Sequence, residues 1–296
     1  MYSQFEVFDC HCDTLTSTQE KQYLNFDEMK KYGRYIQVFA ICAEYNKHPY
    51  FFAKRYIKKF NKLMHEEKFD IIRSSDDLKN CQYGGLLAFE GADCLQSHIS
   101  ALRKFYKQGL RLLTISWNTE GGAASPISSQ ADGGLTPFGR KLIAECEKLG
   151  IVVDLSHISD KSFWDVCEIA TNPFICSHSN SRTINPGAKR NITDEQFKAL
   201  IAHDGCVGIT LCADFIGGER DMSAIIKHIE HFCSLGGEKN IGIGTDFDGT
   251  PNLPSNCNGV GYMYDLAQRL LSLNYSELVV KGILFHNFYD LIAKII

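Results

Sequence analysis

Phe8-Asp9-Cys10-His11-Cys12-Asp13 follows an extended apolar lead-in, Phe5 and Val7, near the start of the chain. In a strand, side chains two residues apart point to the same side. His11 and Asp13 then aim an imidazole and a carboxylate at one point where the strand ends. That is half of a site for a borderline cation such as zinc. His-x-Asp arises often by chance, so its weight depends on what the rest of the chain delivers to the same place.

Outward from this stretch, short apolar, β-branched runs alternate with longer amphipathic segments. The runs predict strands over 6–10, 35–43, 85–89, 110–116, 151–155, 173–177, 206–211 and 240–244. Helices are expected over 49–67, 97–108, 136–149, 160–171, 193–203 and 221–235, with two more around 264–272 and 276–293. Thr193-x-x-Gln196 reads as a capping box, and Gly109 and Gly150 follow helix ends. Eight strands alternating with helices predict a parallel sheet closed into a (β/α)8 barrel, a TIM-type α/β fold. An open doubly wound sheet is the rival, but no GxGxxG follows the first strand. No linker-like stretch appears, so residues 1–296 read as a single domain. The Gly/Ser-rich segment 121–134 falls after the fourth predicted strand and reads as a flexible loop.

In such a barrel the strands end at one rim, where active sites are built. Strand one delivers His11 and Asp13 there, and the run 85–89 leads into Glu90. Later runs lead into Asp154-Leu155-Ser156-His157, Ser177-His178-Ser179-Asn180 and Gly244-Thr245-Asp246-Phe247-Asp248-Gly249. Five such arrivals exceed what chance supplies. Together they can hold two divalent cations, with Glu90 as the bridge because a carboxylate offers one oxygen to each. His11 and Asp13 would serve one ion, His157 and His178 the other. Each pattern has a plainer reading. A Ser-His-Ser also suits a helix cap or a core histidine, Glu90 before glycine could cap a turn, and Arg190 could be a solvated residue ahead of a helix. The acidic loop at 244–249 lacks the ligand spacing of an EF-hand.

Composition narrows the partners. The net charge is −4, with no basic block or arginine stripe, which argues against nucleic acid and against an anionic membrane surface. A small uncharged or zwitterionic substrate fits better. The 12 cysteines are scattered without a CxxC pair, and Cys176, Cys206 and Cys212 sit in apolar runs as small hydrophobes. No basic-then-apolar leader and no bilayer-length apolar run are seen, so a cytoplasmic protein is expected.

The set Asp9-Cys10-His11-Cys12-Asp13-Thr14, Phe89-Glu90-Gly91-Ala92-Asp93, Asp154-Leu155-Ser156-His157-Ile158-Ser159, Cys176-Ser177-His178-Ser179-Asn180-Ser181-Arg182, Lys189-Arg190-Asn191 and Gly244-Thr245-Asp246-Phe247-Asp248-Gly249 resembles the membrane (renal) dipeptidase family. These are dizinc peptidases of the amidohydrolase-type barrels, peptidase family M19, and the resemblance spans residues 8–249 with a weaker echo at His286-Asn287-Phe288. It implies a zinc dipeptidase acting on short peptides and tolerating a D-residue on the C-terminal side. By matching motif, His11, Asp13, Glu90, His157 and His178 would bind two divalent ions, zinc foremost. Asp246 and Glu90 would be catalytic and Arg190 would hold substrate. The reaction expected is attack on the peptide carbonyl by water ionised between the two cations, with Asp246 passing its proton to the leaving amine. Arg190, fork-shaped and always charged, would hold a carboxylate or the oxyanion.

One departure stands out. Animal members carry a substrate-contacting histidine in a Leu-Thr-His-Ser-x-Asn stretch, and here Leu113-Thr114-Ile115-Ser116-Trp117-Asn118 places Ile115 at that position. Trp117 and Asn118 are expected to line the substrate pocket instead. Animal members are also secreted and lipid-anchored, which this chain is not expected to be. Rival functions are another amidohydrolase, such as an N-acyl-amino-acid deacylase on the same metals, and a non-catalytic metal- or peptide-binding barrel. Phosphoester hydrolysis would want more cationic groups at the rim. A homodimer is a further expectation, with the apolar segment 283–296 packing on the barrel or on a partner.

Overall fold

The computed structural model describes residues 2–43, 45–119 and 121–296. Nine parallel strands form one sheet: β1 (Glu6–Cys12), β2 (Arg34–Cys42), β3 (Asp70–Ile72), β4 (Tyr83–Glu90), β5 (Leu110–Thr114), β6 (Val152–Asp154), β7 (Ile175–Cys176), β8 (Cys206–Ile209) and β9 (Ile241–Ile243). Strand β2 pairs with β4 along its length, and β1 pairs with both β2 and β9, so eight strands close into the expected barrel. The ninth, β3, lies outside the ring. It pairs with Gly84–Leu86 of β4, while β5 takes the half of the same edge nearer the rim. Three residues with an acidic first member show no apolar run, which is why this strand was not expected.

Strands β5 to β9 are shorter than the apolar runs that predict them. Only Ile175–Cys176 of the run 173–177 lies in the ladder, because the residues that follow turn out of the sheet to form the rim. Strand β1 is the opposite case. It runs on to Cys12, and its register with β2 slips between Asp9 and Cys12. The slip is a bulge, and a bulge re-aims the side chains next to it.

Around the barrel stand α1 (Phe26–Met29), α2 (Pro49–Glu67), α3 (Ser75–Asn80), α4 (Ile99–Lys107), α5 (Pro137–Leu149), α6 (Asp160–Ile169), α7 (Asp194–Ala202), α8 (Ala213–Ile216), α9 (Met222–Ser234), α10 (Tyr262–Ser272), α11 (Glu277–Lys281) and α12 (Asn287–Ile295). Helix α2 shows why they pack. Ala53, Ile57, Phe60 and Met64 recur at three or four residues and are all buried. The capping box at α7 is present in full, with Thr193 and Gln196 each bonding the other's backbone N–H. Gly150 ends α5 in the left-handed conformation, φ 72°, which suits a residue without a side chain. The short helices α1, α3 and α8 carry too few apolar positions to show a period, and they were not expected.

Two apolar layers result. One lies between the barrel and its helices. The other fills the barrel's interior and lower end, joining Phe8, Cys10, Val38, Leu86, Leu112, Val152 and Ile175 to Phe285, Phe288, Leu291 and Ile292. The closing segment thus plugs the barrel end opposite the rim, so of the two expected placements it takes the barrel. It is not one regular helix, since a π turn over Gly282–His286 separates α11 from α12. Just past that turn, Asn287 Nδ2 donates to the carbonyls of Glu238 (2.9 Å) and Ile241 (2.7 Å). Cys176, Cys206 and Cys212 are buried free thiols. No helix of the described residues is long and apolar enough to cross a membrane.

Close strand approach makes glycine necessary at Gly208, where a Cβ would overlap the Ser177 carbonyl oxygen. Gly208→Ala should therefore lower unfolding free energy by about 1–3 kcal/mol or more, through overpacking against backbone. Thr193→Ala should lower it by about 1 kcal/mol, the worth of one cap. Urea denaturation monitored by circular dichroism reads both. Equal small losses would contradict the packing argument.

Candidate metal centre

Strand ends place the expected groups at one mouth. His11 lies at the end of β1 and Asp13 just beyond it, and Glu90 is the last residue of β4. His157 follows β6 by three residues, His178 follows β7 by two, and Asp246 follows β9 by three. One oxygen of Glu90, Oε1, is the focus. It lies 3.1 Å from His157 Nε2, 3.4 Å from His178 Nε2 and 3.5 Å from His11 Nε2. His11 Nε2 in turn lies 3.4 Å from Asp13 Oδ2 and 3.9 Å from Asp246 Oδ1. Three overlapping triplets follow: His11 with Asp13 and Glu90, Glu90 with His157 and His178, and His11 with His178 and Asp246.

The chemistry of these groups fits cations. Ligands at ~2.0–2.1 Å in tetrahedral array stand about 3.3 Å apart, close to the spacings seen here. His157 Nε2 and His178 Nε2 face each other at 3.0 Å. The other nitrogen of each ring is already engaged: His157 Nδ1 with Asn118 Oδ1 at 2.9 Å, and His178 Nδ1 with Ser177 Oγ at 2.8 Å. An amide oxygen only accepts, so Asn118 fixes the His157 proton on Nδ1 and leaves Nε2 bare. Both nitrogens of His11 and Asp13 Oδ1 are buried without a hydrogen-bond partner among the described residues.

Electrostatics point the same way. Burial pushes the Glu90 carboxyl well above the usual range, and the Asp13 carboxylate adds to it. Burial also raises Asp246, to about 7, against the pull of His11. Burial alone would lower His11, but Glu90, Asp13 and Asp246 outweigh it and raise the imidazole to about 10. His157 and His178 are driven well below the ordinary value, first by burial and then by the charges of Arg190 and His11. Two neutral imidazoles beside crowded carboxylates form a donor set short of positive charge, which divalent ions supply.

Residues 1–295, all but the last, match the model of the membrane dipeptidase family. The chain belongs to membrane dipeptidase family M19. Members are metal-dependent hydrolases of peptide bonds. An uncharacterized protein in the pqqA 5' region of Klebsiella pneumoniae is 30% identical over 238 residues, which is 75% of this chain and 87% of that one. Dipeptidase 3 of Mus musculus is 30% identical over 237 residues, 74% of this chain but 46% of the mouse protein. Among solved structures, the metallo peptidase named dipeptidase AC superposes with a TM-score of 0.88 at 25% identity over 98% of both chains. A metallo peptidase from Rhodobacter sphaeroides, liganded with a phosphinate mimic of the dipeptide L-Ala-D-Ala, superposes at 0.87 with 23% identity over 99% of both.

Other expected residues of this family member occupy distinct places. Arg190 donates from Nη1 to Ser179 Oγ (2.6 Å) and from Nη2 to the His178 carbonyl (2.9 Å), while its buried Nε has no partner among the described residues. It is not the solvated arginine of the plainer reading. Trp117 stands between His157 and the exposed Tyr45, with ring centroids 5.9 and 6.1 Å away. Asn118, expected to line the pocket, sets its side-chain oxygen against His157 Nδ1. Ile115 is buried in the layer between barrel and helices. The segment 121–134, expected to be flexible, is pinned to the start of α6. Asp132 accepts from Ser159 Oγ and Lys161 N, and Ile127 N donates to the His157 carbonyl at 2.8 Å.

Three further buried carboxylates were given no role in the sequence reading. Asp9 Oδ2 accepts from Thr245 Oγ1 (2.6 Å) and Oδ1 from Thr245 N (2.9 Å), which ties β1 to the loop carrying Asp246. Asp154 binds Thr114 and Ser177 across β5, β6 and β7. Asp248 accepts from Thr14 Oγ1 and Tyr23 N, both at 2.6 Å, and so holds the segment after Asp13. The available signal was a carboxylate inside or beside an apolar run, which is costly unless it is paired. His157, Asp246 and Asp248 also have φ of 66°, 61° and 67°, a left-handed backbone that non-glycine residues adopt only under constraint.

The loops beside Arg190 are joined by buried His228, whose Nδ1 accepts from Ser181 N (3.1 Å) while Nε2 donates to the Ile216 carbonyl (2.9 Å). Burial lowers it from 6.5 to about 4, so it is neutral in the fold. The unfolded chain takes up that proton below about 6.5, and stability is lost as pH falls from there toward about 4. The difference in unfolding free energy between wild type and His228→Gln should thus shrink as pH drops through this window. A difference independent of pH would show that His228 does not titrate this way.

Proposed function

We propose that this chain is a two-metal dipeptidase that hydrolyses the peptide bond of dipeptides with a free C-terminal carboxylate. The observation that carries the reading is the Glu90 oxygen within 3.1 to 3.5 Å of three imidazole nitrogens, with Asp13 and Asp246 beside one of them. His157 and His178 would hold one ion, His11 and Asp13 the other, and Glu90 would bridge. The nitrogen-rich half favours zinc. Bound there, the ions would supply Lewis acidity to the substrate carbonyl and make water in the site a stronger acid.

The chain's own groups do the rest. Asp246 Oδ1 lies at the edge of the cluster, where it can take a proton from the attacking water and release it to the departing amine. Arg190 is held from below by Ser179 and His178, which leaves its buried Nε seeking an acceptor. A substrate carboxylate meets that need with a charge-assisted bond. Trp117 offers an apolar wall for a side chain. The bound L-Ala-D-Ala mimic of the Rhodobacter relative supports a D-residue at the C-terminal position. Residues 1–296 act in this reading as one domain.

Elemental analysis of the purified protein should find about two divalent ions per chain, and chelation should abolish amino-acid release from L,L and L,D dipeptides. Arg190→Met should lower kcat/KM for dipeptides roughly 10- to 100-fold, the size of one lost charged hydrogen bond. Dipeptide amides, which lack the carboxylate, should be affected much less. Release from N-acetyl amino acids alone would move the reading to a deacylase. Protein without metal, or with metal and no hydrolysis, would end it.

A further inference from the structure

Asp154 has no place in the ligand set, yet it is the most completely satisfied carboxylate near it. It is fully buried. Oδ1 accepts from Ser156 N (3.0 Å) and Ser177 N (2.7 Å), and Oδ2 accepts from Thr114 Oγ1 (2.6 Å) and Ser177 Oγ (2.7 Å). Leu112 and Thr114, Val152 and Asp154, and Ile175 and Ser177 are each two apart, so each polar residue stands one step above an apolar one on the same face. A polar layer thus lies between the barrel's apolar filling and the rim.

We propose that Asp154 is a positioning residue for the metal centre, setting through Ser177 which nitrogen of His178 carries the proton. The inference rests on the two-metal reading above and deepens it. Its logic is the direction of hydrogen bonds. With two backbone N–H groups and two hydroxyls converging on its oxygens, Asp154 acts only as an acceptor, so the single hydroxyl hydrogen of Ser177 goes to Asp154. Ser177 Oγ then has only lone pairs for His178 Nδ1 at 2.8 Å, and the imidazole proton must sit on Nδ1. His178 Nε2 is left bare, facing Glu90 Oε1 and His157 Nε2. Ser156 completes the pattern, since its Oγ accepts from His178 N at 3.1 Å and can give its own hydrogen to Ser177 Oγ at 3.2 Å. His157 reaches the same protonation by a separate route, the Asn118 amide oxygen, and serves as an internal control.

Asp154→Asn keeps the shape but adds a donor. Its amide N–H would bond Ser177 Oγ, turn the hydroxyl hydrogen toward His178 Nδ1 and shift the imidazole proton to Nε2, where it blocks a cation. Ser177→Ala removes the relay without enforcing the wrong form. The test uses 15N-histidine-labelled full-length protein, stripped of metal, at a pH where both imidazoles are neutral. Two-bond 1H–15N spectra report the tautomer of each ring, and zinc affinity is measured by competition with a chromophoric chelator.

Wild type should show His178 protonated on Nδ1. Asp154→Asn should move that proton to Nε2, leave His157 unchanged and weaken zinc binding roughly 10- to 100-fold, as loss of an outer partner does. Ser177→Ala should give a mixed tautomer and a smaller loss. A folded Asp154→Asn with the proton still on Nδ1 and zinc affinity unchanged overturns the proposal. If that variant does not fold, an unchanged tautomer and affinity in Ser177→Ala overturn it equally. Wild type that binds no zinc would defeat the two-metal reading, while the spectra would still decide the relay.

Discussion

Three carboxylates and three imidazoles share one buried mouth, and that crowding is the constraint on which the rest of the structure depends. Glu90 and Asp246 are both pushed up by burial, and His11 is pushed up by its acidic neighbours. A cluster of this kind repels itself unless positive charge is added, so the fold must hold it together before any ion arrives. Closing the barrel does most of this. With β1 paired to both β2 and β9, His11 and Asp246 are brought together although they are far apart in sequence. An open sheet would leave those two strand ends on opposite edges.

The remaining restraint comes from carboxylates that touch no proposed ligand atom directly. Asp9 fastens Thr245, Asp248 fastens Thr14 and Tyr23, and Asp154 fastens Thr114 and Ser177. Each ties one strand end or rim loop to another. They also explain how His157, Asp246 and Asp248 remain at positive φ, a conformation worth of order 1–3 kcal/mol of strain each. The strain and the clamps occur at the same places, as expected where geometry serves a site rather than stability.

The barrel was legible because its evidence repeats. Eight apolar runs, five of them closing on polar residues, carry a signal that no single run does, and closure to one rim follows from the fold class alone. His11, Asp13, Glu90, His157, His178 and Asp246 were legible for the same reason. What stayed hidden depends on pairing across the chain. Asp154 and Asp9 look like polar interruptions of strands until their partners are known. The bond from Asn118 to His157 is invisible in the sequence because nothing local reveals His157 beside it. The segment 121–134 looks flexible by composition, yet Asp132 and Ile127 tie it to α6 and His157. Strand β3 is too short to carry a pattern, and the bulge in β1 exists only relative to β2.

The departure at Ile115 lies apart from the Glu90 cluster. Ile115 packs into the layer between barrel and helices, on the other side of the strand from the cluster. The residues that do reach upward from the same strand end are Asn118, which serves His157, and Trp117, which joins His157 to Tyr45 at the surface. In the two-metal reading proposed above, strand ends and inner carboxylates would define the reacting centre, and the loops above them would define what enters it. A change in the aromatic wall should alter which side chains are accepted while leaving the Glu90 cluster intact, because the two are built from different elements and share only His157.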